Sequence, residues 1–207
     1  MSDPFRSKRL CYRAVATPED DWLFQAINDD RIGYQNSNVG NNKLPTKADA
    51  AEFQKIVAEG SLLGAVICIQ PTSSEDTPGD DSMVAHKPVG IGQIHLKALP
   101  IHMQHHRHTE IAIDILPKHQ GKGYGTEAIK WVLNWAFKRL GLHRVSVRAF
   151  GWNERAISLY EKLGFVHEGR YRESLWHEGR WWDGIDMGLL EHEWRAMQEQ
   201  EESKGAR

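Results

Sequence analysis

Residues 109–140 read TEIAIDILPKHQGKGYGTEAIKWVLNWAFKRL, and three patterns follow one another within them. Ile111, Ile113 and Ile115 alternate with Ala112 and Asp114, the period of two of a strand with one apolar face. Pro117 ends that strand. Ala128, Ile129, Val132, Leu133, Ala136, Phe137 and Leu140 recur at helical spacing, and Gly141 is placed to stop the helix. Between strand and helix lies Gln120-Gly121-Lys122-Gly123-Tyr124-Gly125. Residues without a Cβ let backbone N–H groups turn inward, and a helix N-terminus adds roughly half a positive charge, so a phosphate is expected at this junction.

Spacing chooses among the known phosphate loops. A P-loop needs GxxxxGK followed by Ser or Thr, and a dinucleotide fingerprint needs GxGxxG with an acid about twenty residues on. This loop reads GxGxG and satisfies neither. It fits (Gln/Arg)-x-x-Gly-x-(Gly/Ala), and in this the sequence resembles the GNAT family of N-acetyltransferases. The phrase ILPKHQGKGYGTEA is similar to the RimJ/RimL and spermidine acetyltransferase branch of that family. A second motif, N-x-x-(Ala/Ser)-x-x-x-Tyr-x-x-x-Gly-Phe, recurs as Asn153, Ala156, Tyr160, Gly164 and Phe165 about thirty residues after the loop. The phrase GRWWDGIDMGLL is also like the end of RimJ/RimL-type chains, and the resemblance extends over residues 8–192.

The resemblance implies an α/β (α+β) fold: a central mixed, mostly antiparallel sheet flanked by helices, with acetyl-CoA at the loop between the fourth strand and the third helix. It also implies transfer of an acetyl group from acetyl-CoA to a primary amine by direct attack. The acceptor would be a polyamine, another small amine or a protein N-terminus. Backbone N–H groups from Gly121 through Lys122, Gly123, Tyr124 and Gly125 to Thr126 would hold the pyrophosphate, with Gln120 orienting the loop and Lys122 adding a screened charge. The pantetheine arm would pair like an added strand at Ile113 and Ile115, near Asn153 and Ala156. Tyr160 would protonate the leaving sulfur, and Glu110, or a water, would take the amine proton. The competing readings are a core aromatic for Tyr160, a surface acid for Glu110, and for the whole chain a silent CoA-binding sensor.

The rest of the chain supplies the frame. Arg9 to Val15 reads as a first strand, and Thr17-Pro18-Glu19-Asp20 as the cap and first turn of a helix through Asn28. Residues 29–36, polar and containing Gly33, read as a loop, and Thr46 with Asp49 opens another helix. The resemblance sets this region on the acceptor side, which makes Trp22, Asp29, Asp30 and Tyr34 candidate substrate contacts. Leu62–Gln70 and Val89–Leu99 form an expected antiparallel pair around an acidic, flexible insertion at residues 71–87. Arg144–Phe150 is a short strand, Asn153 caps the helix after it, and Val166–Leu175 and Trp181–Leu190 close a single domain at 8–192. From 193 to 207 the composition is charged, and a fraying tail is expected.

Length and composition agree with one globular domain: 207 residues and eight Trp can build a substantial core. Twenty-six Lys and Arg against 28 Asp and Glu give a net charge of −2, which provides no overall attraction to nucleic acid or an anionic membrane. Neither is expected as a partner, and a homodimer is left open. The longest apolar run is too short to span a bilayer, and the N-terminus has no apolar signal core, so a cytoplasmic protein is expected, with the nucleus also open. Cys11 and Cys68 are far apart in the chain with no CxxC spacing and read as buried thiols. His102, His105, His106 and His108 lack the cysteines or spaced carboxylates that would complete a site, so no metal is expected.

Overall fold

The computed structural model describes residues 3–70 and 88–205. Strand β1 (Leu10–Arg13) leads to helices α1 (Asp21–Asp29), α2 (Arg31–Ser37) and α3 (Lys47–Glu59). Strands β2 (Ser61–Ile69), β3 (Val89–Lys97) and β4 (His108–Ile115) follow. Next come α4 (Tyr124–Asn134), β5 (Arg144–Phe150) and α5 (Glu154–Lys162). The hairpin of β6 (Val166–His177) and β7 (Arg180–Leu190) precedes α6 (Glu191–Gly205).

The seven strands form one sheet in the order β1-β2-β3-β4-β5-β7-β6. Every neighbouring pair is antiparallel except β4 and β5. Parallel strands need a long crossover, and α4 supplies it. The β4–β5 register covers only His108 with Arg144, Thr109 with Val145 and Glu110 with Ser146. Beyond Glu110 the two strands part, and the edge of β4 that faces β5 carries no paired strand.

Two apolar layers hold the sheet. Ala128, Ile129, Val132, Leu133, Ala136 and Phe137, on the predicted stripe of the central helix, are buried with Ile67, Ile91, Ile111, Val145 and Val147. On the opposite face of β2, Val66 and Cys68 pack with Leu23 of α1 and with Leu116. Strand β2 is thus apolar on both sides, as a central strand covered by helices on each face must be.

Several expectations are corrected. Residues 31–37 form a helix: Tyr34 N donates to Asp30 O at 2.7 Å, and Asn36 Oδ1 accepts from Trp152 Nε1 at 3.1 Å, a tie 116 residues away that local composition does not signal. The glycine loop therefore precedes the fourth helix, not the third. Thr17 does not cap α1; its hydroxyl accepts from Gln54 Nε2, and the helix starts at Asp21. Asp20, expected in a first turn, is buried, and its carboxylate takes two 2.7 Å bonds from Arg13 and one from Ala16 N. The central helix leaves α geometry at Trp135–Arg139 for a π turn before Gly141, which has φ 61°.

The charged C-terminal stretch does not fray before residue 205. Trp194 is buried, its ring 5.3 Å from Phe137, and this contact anchors α6 to the domain. Cys11 and Cys68, distant in sequence, are direct register partners across β1 and β2; both are free thiols, Cys68 buried and Cys11 partly so. The antiparallel pairing of β2 with β3 and the Thr46–Asp49 capping box form as read. The acidic insertion at 71–87 lies outside the described residues. No described helix is long and apolar enough to cross a membrane.

Candidate active site

The glycine loop takes its shape from two residues in the left-handed region, Gly121 at φ 75° and Gly123 at φ 80°. Only glycine adopts this conformation without strain. Gln120 staples the loop to the end of β4, since its Nε2 donates to Ile115 O at 2.8 Å while its Oε1 accepts from Arg155 at 3.4 Å. Helix α4 then begins at Tyr124 with Gly123 in the capping position and no side-chain cap among the described residues. Its leading N–H groups are thus left for an anion. Gly125 has space for a Cβ, its nearest neighbour being Leu159 Cδ2 at 3.9 Å, so only a ligand would demand glycine there.

Sequence reasoning missed Arg9, which buttresses this loop from the residue just before β1. It donates to Lys122 O at 2.9 Å and to Glu127 Oε2 at 2.7 Å, and its guanidinium lies 4.7 Å from the Tyr124 ring centroid. Glu127 would be an unwelcome acid in the first turn of an anion-binding helix. Burial would raise its carboxyl, but bonds from Ser7 and from Arg9 outweigh this and hold it below the usual range. No local pattern marks Arg9, because its partners are more than a hundred residues away.

The cleft between the parting strands gathers the remaining candidates. Ile113 and Ile115 lie on β4 past the last β5 pair, half-buried against the core. On the opposing side, Asn153 caps α5 by accepting from Ala156 N at 3.2 Å, and Ala156 and Tyr160 follow one turn apart. Tyr160 is 8 % exposed, its ring 5.8 Å from that of Phe165. Burial, followed by the negative charges of Asp114 and Glu110, pushes its phenol up to about 12. The hydroxyl is therefore protonated throughout the physiological range and makes no hydrogen bond among the described residues.

Two carboxylates share the face of β4 that influences Tyr160, and their surroundings differ. Glu110 is held by Lys97 Nζ at 2.5 Å and Arg148 Nη2 at 3.0 Å, one cation on each oxygen. Asp114 lies opposite Gln93 in the β3–β4 register, and its Oδ2 accepts from Gln93 Nε2 at 2.7 Å. Burial raises the Asp114 carboxyl, the Gln93 bond opposes this, and the charge of Asp30 raises it further; the net shift is upward. Behind Gln93, His95 Nδ1 lies 2.9 Å from Gln93 Oε1, and burial with the nearby Lys97 brings its imidazole down to about 4. Asp114, Gln93 and His95 were all missed. Alternation assigns them to the polar face of their strands, but Gln93 and His95 are buried and Asp114 is half-buried beside them.

Of the four acceptor-side candidates, Asp30 and Tyr34 are bonded to each other through their main chains. Asp30 is the one whose charge reaches Asp114. Trp22 is half-exposed and lies beside Gly90, Asp29 accepts from Gln25 on the open surface of α1, and Tyr34 is half-buried in α2. An unforeseen aromatic wall closes the end of β5: Trp152 stacks on His177 at 4.2 Å and lies 4.7 Å from Phe150 and 5.9 Å from Trp182. Among the described residues no group of three or more His, Cys, Asp or Glu could hold a metal ion.

Comparison with known proteins places this geometry. The family model described as the acetyltransferase (GNAT) domain matches residues 9–166. Spermidine N(1)-acetyltransferase of Vibrio cholerae is 38% identical over 86 residues, which are 42% of this chain and 50% of that protein. A putative ribosomal N-acetyltransferase of Bacillus subtilis is 35% identical over 93 residues, 45% of this chain and 51% of that protein. The chain thus spans about half the length of the curated relatives it matches. The crystal structure of Vibrio cholerae spermidine N-acetyltransferase in complex with CoA and spermine superposes with a TM-score of 0.69 at 23% identity, covering 91% of this chain and 99% of that one. At that identity the likeness establishes the fold.

Proposed function

The chain belongs to the acetyltransferase (GNAT) family, and on that premise we propose that it transfers the acetyl group of acetyl-CoA to a primary amine by direct attack. The observation that carries this reading is the fork between β4 and β5, which opens directly after Glu110 with the glycine loop at one end and Tyr160 on its wall. A strand edge stripped of its neighbour presents N–H and C=O groups to an extended, amide-containing arm such as pantetheine. The uncapped start of α4, with Gly121 and Gly123 turning the loop inward, suits the pyrophosphate.

The chemistry then divides among this chain's own groups. The amine lone pair forms the C–N bond at the thioester carbonyl, and the carbonyl π electrons move onto oxygen, where a backbone N–H of β4 would face the developing charge. As the carbonyl re-forms, the C–S bond breaks with its electron pair on sulfur, and Tyr160 donates the proton. A phenol near 12 is a weak acid beside an ordinary thiol. The same loss of water that raises Tyr160 also raises the basicity of a thiolate formed next to it, so donor and acceptor remain matched.

The test is release of free CoA thiol from acetyl-CoA, with mass analysis of the acceptor, across spermidine, simple alkylamines and peptides with free N-termini. Acetylated product with stoichiometric thiol supports the reading. A protein that binds acetyl-CoA and acetylates none of these amines would refute it.

A further inference from the structure

Resting on the acetyltransferase reading, we infer that Asp114, rather than Glu110, is the carboxylate that meets the acceptor as a primary alkylammonium and takes its proton before attack. Both residues lie on the same face of β4, so their partners decide between them. Each oxygen of Glu110 faces a cation, Lys97 on one side and Arg148 on the other. With a cation against each oxygen, Glu110 has little uncompensated charge left to draw in an ammonium. Asp114 faces no cation among its recorded partners. One oxygen is fixed by the amide of Gln93, and the other accepts no hydrogen bond among the described residues.

The Gln93 contact also sets direction. In a neutral His95 the Nδ1–H donates to Gln93 Oε1, which turns the Gln93 amide so that its Nε2–H donates to Asp114 Oδ2. His95 Nδ1 carries its proton both in this tautomer and in the imidazolium, so the Gln93 orientation persists across the working pH range. Gln93 and His95 are therefore positioning residues. The charged groups around Asp114 are Asp30 at the start of α2, Glu110 on its own strand and Lys97 beyond His95, with the neutral phenol of Tyr160 on α5. Burial and the negative charge of Asp30 both make Asp114 a stronger base than a surface aspartate, and the charge of Asp30 also favours a cationic guest.

The protons balance. Asp114 takes the first from R–NH3+, leaving R–NH2 to attack. Tyr160 gives its proton to the departing sulfur and recovers one from the nitrogen as the amide forms. Asp114 returns its proton to solvent, so the sum is ammonium plus thioester giving amide, thiol and one H+.

The experiment compares wild type, Asp114→Asn, Glu110→Gln and Gln93→Leu with spermidine across pH, and with trifluoroethylamine, an amine already neutral at the assay pH. Asp114→Asn keeps shape and can still accept from Gln93. It is expected to lower kcat/KM for spermidine by about 10²–10⁴-fold and to move the acid limb from the carboxylate to the amine, so that the residual rate climbs with pH toward the amine's own pKa. With trifluoroethylamine the loss should shrink to less than about 10-fold, because no proton has to be removed before attack. Gln93→Leu removes a bond that favours the anion, so the acid limb should move to higher pH. Acetyl-CoA affinity should be unchanged in Asp114→Asn, and its melting temperature equal or higher, since a buried carboxylate with a raised pKa opposes folding above that pKa. An active wild type whose Asp114→Asn variant keeps the acid limb at its wild-type pH, loses equally with both amines, or melts well below wild type overturns the inference. So does a Glu110→Gln variant that inherits the spermidine-specific loss. A wild type that acetylates no amine overturns the parent reading with it.

Discussion

Replacing Tyr160 by Phe separates catalysis from packing, because the hydroxyl makes no hydrogen bond among the described residues. The ring remains in place, 5.8 Å from Phe165, so the apolar contacts of α5 are kept. The hydroxyl is not among the buried polar atoms left without a partner, so its removal should change stability by less than about 1 kcal/mol. A change of about 1 kcal/mol would shift Tm by about 2–4 °C in a chain of this size. Turnover should behave in the opposite way: loss of a positioned proton donor is worth about 10²–10⁴ in rate, or about 3–5 kcal/mol of barrier. The assay is kcat at saturating acetyl-CoA and acceptor from pH 6 to pH 10, with calorimetry for acetyl-CoA affinity. Because burial pushes the phenol up to about 12, Tyr160 itself should produce no descending limb in that window. A variant with near wild-type kcat at every pH, or one that melts several degrees lower, would remove Tyr160 from the mechanism and return it to the core.

Gly123→Val forces a branched side chain into φ 80°, with its Cβ 3.3 Å from Arg9 Nη2. Acetyl-CoA affinity should fall by at least about 10-fold from backbone strain and lost N–H donors, and calorimetry giving wild-type affinity would contradict the loop assignment. Trp194→Ala empties a buried site against Phe137 and should cost about 3–5 kcal/mol in denaturant unfolding; a loss below about 1 kcal/mol would mean that α6 is not part of the folded unit. Burial pushes the Cys68 thiol up to about 11 and raises Cys11 as well, so both should label slowly with iodoacetamide at pH 7 and faster as pH rises; rapid labelling at neutral pH would refute the β1–β2 pairing around them.

Much of this protein is legible in sequence because its decisive signals are local. A strand, two obligatory glycines and an amphipathic helix within 32 residues specify the anion loop, and Asn153 specifies the helix that carries Tyr160, since capping and periodicity depend on neighbours a few residues away. What escaped reading depends on partners far along the chain. Helix α2 is tied down by Trp152, the loop is braced by Arg9, and a charged C-terminal stretch becomes part of the domain through one tryptophan. Alternation correctly set Gln93, His95 and Asp114 on the polar side of their strands, but a period of two says only that two faces differ. Whether the polar face meets water or the inside of a cleft is decided by which strands pair and where they part. Tertiary structure alone made that choice, joining β4 to β5 for three residues and then separating them, and so gave one aspartate the surroundings of a base and one glutamate those of an ion pair.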